Sequence, residues 1–182
     1  MRRVAVVLCA FLLALMATGT SSAQRAEHIT LDNNFTFIGG FISARCGFDV
    51  TVTLSGTLDV TLFYDESGNI VREIDQTPAG LVTFTGPTGR SVTYSTAGNA
   101  AFFNYPEGAF IGAPAIVEFQ GDWSHTPGVF LGPGAFTFRS TVVDFIEPEH
   151  VPLTIQDELI ESHGKPVSQG ENMDAICSAI SP

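Results

Sequence analysis

Lysine is almost missing from this chain: Lys165 stands alone, and basic residues number 8 against 19 acidic ones. With residues 1–23 set aside as a leader, six basic residues remain and the formal net charge is −13. Phosphate backbones are repelled by such a surface, so nucleic acid is excluded as a partner, and an anionic membrane face is disfavoured for the same reason. Cysteine is scarce too. One of the three lies in the apolar opening, leaving Cys46 and Cys177. No C-x-x-C pair exists, and no histidine stands at ligand spacing from either cysteine, which argues against a redox or zinc site. The chain also lacks a G-x-S-x-G elbow, an H-E-x-x-H helix and EF-hand spacing. Beyond Ala17 no apolar run approaches the ~20 residues of a membrane span. No long helical pattern separates the apolar segments, so the helical crossovers that parallel strands require are missing.

What is present begins with a leader. Arg2 and Arg3 precede an apolar run from Val4 to Ala17, which softens into "TGTSSAQ". A basic start, a short apolar centre and a small-x-small end make a secretory signal peptide over 1–23, cut after Ala23. An exported, extracellular protein is expected. Residues 24–45 read as a loose entry segment, with "NFTFIGGF" as a short strand inside it. Residues 46–182 read as a single β domain. A hydrophobic fraction of 45% and 15 phenylalanines supply enough apolar surface to order it.

Strand patterns dominate. Phe48, Val50, Val52 and Leu54 alternate with polar residues, and Leu58, Val60, Leu62 and Tyr64 repeat the pattern. Ser55-Gly56 is predicted as the turn between them, and "DESGN" (65–69) as the next. "IVREI", "GLVTFTG", "RSVTYST", "AAFFN", "APAIVEFQG" and "GAFTFRSTVVDFI" follow as strands. Phe136, Phe138, Ser140 and Val142 share one face of the last. "PLTI" reads as a final short strand, and "IQDELIES" as a turn or two of helix. Some eight to ten strands at short spacing predict a mainly β, antiparallel barrel, with a β-sandwich as the alternative. In the tail, Met173, Ile176, Cys177 and Ile180 fall on one helical stripe. This predicts a short C-terminal helix over 169–181, with Ser168 and Glu171 as a capping box. Cys46 and Cys177 form an even pair in an exported chain, so a disulfide is expected from the first strong strand to that helix.

Three segments carry candidate chemistry. "GDWSHTPG" holds Asp122, Ser124 and His125 around the only tryptophan, Trp123. Adjacent residues of an extended segment point to opposite faces, so Ser124 and His125 make a poor nucleophile–base pair. "DFIEPEH" brings Asp144, Glu147, Glu149 and His150 together. These are oxygen and imidazole donors that suit Ca²⁺ or a transition metal, or else a solvated acidic exit from a strand. Finally, "NYPEGAFIGAP" and "HTPGVFLGPG" set bulky apolar residues in turn-rich sequence, where polar residues are the norm. If both loops lie at one end of the sheet, Phe110, Ile111, Trp123, Phe130 and Leu131 form an apolar mouth for a small ligand. Otherwise they fold back as ordinary core.

"CGFDVTVT", "FYDESGNIVREI", "GRSVTYSTAG", "PGVFLGPG" and the terminal "DAICSAI", in that order, resemble small secreted proteins of actinobacteria. The resemblance covers most of residues 46–180 and supports pairing the two cysteines. It implies no activity and transfers no site residue. The sequence therefore points first to non-catalytic binding of a small apolar ligand, with no cofactor and no bound metal called for. A surface-interaction protein without a pocket and a small enzyme acting on a hydrophobic substrate are the alternatives. The oligomeric state is left open.

Overall fold

A computed structural model describes residues 25–125, 132–164 and 169–182. The expected leader, Phe130, Leu131 and Ser168 lie outside the described residues. In chain order the elements are β1 (Arg25–Asp32), β2 (Phe35–Ile38), α1 (Gly40–Cys46), β3 (Thr51–Tyr64), β4 (Ile70–Thr85) and β5 (Ser91–Ser95). Then come β6 (Ala100–Asn104), β7 (Pro114–Asp122), β8 (Pro133–Ile146), β9 (Val151–Gly164) and α2 (Gln169–Ile180). All strand pairs are antiparallel and belong to one nine-stranded sheet, in the order β1-β3-β4-β6-β7-β8-β9. β2 adds to β3, and β5 adds to β4. β1 and β9 end the order, and hydrogen bonding does not close the sheet. The mainly β, antiparallel fold with a short C-terminal helix is thus as expected.

The long β3–β4 hairpin organises everything else. Its inner half, nearest the turn, pairs with β1 and β6, whereas its outer half pairs with β2 and β5. Two cores result. The larger holds Val60, Leu62, Phe103, Tyr105, Val117, Phe119 and Val142. The smaller, under the two helices, holds Val50, Val52, Val82, Phe84, Met173, Ile176 and Ile180. The two alternating patterns of β3 supply one core each. The predicted turn at Ser55-Gly56 is corrected: β3 runs straight through it. Gly56 has φ 129° and sits opposite Gly80, and a Cβ there would stand 2.1 Å from the Ala79 carbonyl oxygen. Glycine here permits a close approach at a bend rather than a reversal of the chain. "IVREI" and "GLVTFTG" are likewise one strand, β4. Their apparent break is a bulge near Pro78, where the register shifts between Thr57 and Asp59.

Further corrections fall at the two ends. Where a loose entry segment was expected over 24–45, residues 25–46 form β1, β2 and α1. Ile29 and Leu31 pack on the larger core, and β1 is ordered by its distant partner β3 rather than by any local signal. "PLTI" and "IQDELIES" form a single strand, β9, whose pairing with β8 shifts register three times. Those shifts break the period of two and leave a pattern that mimics a helical turn. Cys46 closes α1 instead of opening a strand. Gly47 then caps the helix in the left-handed region at φ 76°, its N–H donating to the Ser43 carbonyl. The Cys46–Cys177 disulfide, with Cα atoms 5.2 Å apart, therefore joins helix to helix. Beside it Arg45 grips Asp174 through two hydrogen bonds of 2.7 Å. The guanidinium holds the Asp174 carboxyl below its usual range.

Candidate functional site: an apolar cavity with a buried carboxyl pair

The bend leaves space between the two cores. On the inward face of β3, Leu54 and Leu58 flank Gly56, so no side chain stands between them. A cavity of about 220 Å³ opens there. Leu54, Leu58, Ala101, Phe103, Phe119 and Trp123 give it apolar walls, and Asn33, Thr77, Thr96 and Asn99 line the rest, with Asp75 as the one ionisable side chain. Trp123 is fixed in place twice: its Nε1–H donates to the Gln120 carbonyl at 3.0 Å, and its ring meets Phe119 edge-on at 4.9 Å. The amide of Asn99 is also committed. It donates to the Asp122 carbonyl and accepts from the Asp122 N–H, pinning the β5–β6 turn to the end of β7.

Behind Asp75 lies Glu73, two residues away on the same face of β4. Cross-strand neighbours of Glu73 are Leu62 and Phe103, and those of Asp75 are Val60 and Ala101. Two carboxyl groups thus sit among apolar residues. Glu73 is 1% exposed, and its Oε2 accepts a 2.6 Å hydrogen bond from the Tyr105 hydroxyl. Asp75 Oδ1 is buried and accepts no hydrogen bond from any other described residue. An orphaned buried acceptor beside a carboxyl group calls for a proton between them. Burial first, and then the charge of Asp75, push Glu73 well above the usual carboxylate range. Burial pushes Asp75 up to about 6. Both shifts run the same way, so the pair holds protons to higher pH than isolated carboxyl groups do. Burial and the neighbouring carboxyl groups drive Tyr105 upward, so it remains a donor.

Of the five residues expected to form an apolar mouth, Trp123 lines the cavity. Phe110 and Ile111 do not: they are 51% and 65% exposed, in the connection at the other end of β7. Trp123, by contrast, follows the last residue of β7. Phe130 and Leu131 lie outside the described residues. In "GDWSHTPG" the Ser124 hydroxyl donates to Asp122, and His125 lies flat on the Tyr94 ring at 3.6 Å. Burial lowers the His125 pKa, so the ring is a neutral stacking partner. In "DFIEPEH", His150 stacks on Phe145 and meets Glu147 at 3.1 Å, Asp144 caps the Phe145 N–H, and Glu149 is exposed. Among the described residues no three His, Cys, Asp or Glu side chains are placed to hold a metal ion. No described helix is long and apolar enough to cross a membrane.

Sequence reasoning passed over Glu73 and Asp75. "IVREI" reads as the return strand of a hairpin, whereas the register shift after Ile70 lets Ile70, Glu73 and Asp75 all face inward. The one available signal was the shared parity of Glu73, Asp75 and Thr77, which carries meaning only once Tyr105 is known to face them. No family model matches the chain, and neither does any curated protein or solved structure.

Proposed function

We propose that this chain is an exported protein that binds a small apolar molecule non-catalytically, within a sheet curled into a half-open barrel. The cavity at the β3–β4 bend carries this reading. It is walled by two leucines and three aromatic rings and is large enough for a substituted ring, since roughly 150 Å³ suffices for benzene. The basic-apolar leader and the disulfide support export. Ala101 is buried, lines the cavity, and pairs with Asp75 and Phe119. Ala101→Leu should fill the space while leaving the fold intact. Ethylbenzene and related small aromatics should then raise the melting temperature of the parent protein and leave that of the variant unchanged. Equal shifts in both proteins would place binding elsewhere.

A second reading rests on β9. Leu153, Ile155, Leu159 and Ile160 are exposed along this edge strand, and an unpaired apolar edge favours association. Light scattering across a concentration series tests it, and a monomer at all concentrations would remove self-association from consideration.

A further inference from the structure

The cavity's one charged wall group has no counter-ion. No salt bridge reaches Asp75 or Glu73 among the described residues, and neither Lys, Arg nor His lines the cavity. Glu73 can give Asp75 a single proton, because its other oxygen is held by Tyr105. A carboxylate has about four acceptor sites, so one proton from Glu73 leaves Asp75 able to accept more. An uncompensated carboxylate in apolar surroundings is costly unless something positive or hydrogen-donating reaches it. A Ca²⁺ ion would require six or more oxygen ligands, whereas this cavity is mostly carbon.

We propose that the cavity binds a small apolar amine in its ammonium form, with the ammonium donating to Asp75 and the hydrocarbon body lying among Leu54, Leu58, Phe103, Phe119 and Trp123. The proposal rests on the ligand-binding reading above and adds the chemical class of the ligand. It follows from three features: an acidic end without a counter-ion, a body of apolar walls, and a volume that limits the guest to about one ring and a short arm. The aromatic walls add to the preference, because ring faces attract cations. The acidic surface of the whole chain also draws cations toward it and turns carboxylates away.

The experiment uses the purified protein with its disulfide intact and four matched probes: 2-phenylethylamine, 2-phenylethanol, ethylbenzene and phenylacetate. Trp123 is the only tryptophan, so its fluorescence reports occupancy of the cavity directly, and calorimetry supplies the affinities. The amine should bind at least tenfold more tightly than the alcohol or the hydrocarbon, and phenylacetate should bind least. Asp75→Asn should bring the amine down to the level of the alcohol while ethylbenzene binding persists. Glu73→Gln can still accept from Tyr105 and donate to Asp75, so it should keep the preference for the amine. If the alcohol or ethylbenzene matches the amine in the parent protein, the ammonium assignment is overturned and the apolar cavity stands. Retention of the preference in Asp75→Asn overturns it as well. If none of the four binds, the cavity reading itself fails. Should Asp75→Asn not fold, the parent series and Glu73→Gln decide the matter, and loss of the preference in Glu73→Gln counts against the assignment.

Discussion

Asp75 and Glu73 carry the least expected chemistry in the molecule, and they also give it a pH dependence of unusual sign. Both groups bind protons more tightly folded than unfolded. Between the unfolded carboxylate range near pH 4 and the raised folded values, about 6 for Asp75, the native state holds more protons. Stability from this pair is therefore complete below about pH 4 and declines as pH rises through the folded values. Exposed Asp65 and Asp174 act in the opposite direction, since hydrogen bonds lower both. Comparison with Asp75→Asn cancels their effect. The variant should gain on the parent by on the order of 2 kcal/mol between pH 4 and pH 8, measured by urea unfolding at each pH. A constant difference across that range would show that the pair does not titrate as described.

Among the elements, the β3–β4 hairpin and the helix pair carry most of the consequences. Gly56→Ala puts a methyl group against the Ala79 carbonyl in a backbone conformation that suits glycine. It should cost about 2–3 kcal/mol and loosen the cavity, as seen in the denaturation midpoint together with Trp123 emission. Replacing Cys46 and Cys177 together by alanine opens a loop of 131 residues. In the chain-entropy account this costs roughly 4–5 kcal/mol, and a thermal melt of the double variant checks it. Much at this scale was legible in the sequence. The alternation of Phe48 to Leu54 and of Leu58 to Tyr64 is real, as are the stripe of α2 and the cysteine pair. What the sequence could not display was bulges and distant partners. Gly56 looks the same at a bend as at a turn, β9 loses its period at its register shifts, and β1 acquires order only from β3. The total of nine strands falls within the expected eight to ten partly because errors offset: two pairs merged while one new strand, β1, appeared near the start. The cavity was legible through Trp123 alone, because its acidic end is set by the register of β4 and by Tyr105, 32 residues from Glu73.

For the molecule as a whole, acidity, a single sheet and an apolar cavity between two cores combine into one physical picture. The acidic surface favours cations, and on the proposed reading the carboxyl pair would distinguish one small apolar guest from another. The two long strands that traverse both cores also determine how the molecule comes apart. With the cavity empty, little packing bridges the helix-capped region and the larger sheet across the bend at Gly56. Hydrogen exchange should then show two opening units: the amides of α1, α2, β2 and β5 released at lower free energy than those of β7 and β8. A guest touching Leu54 from one core and Leu58 and Phe119 from the other would act as a splint. It should merge the two units into one, slowing exchange in the helices although it contacts neither of them.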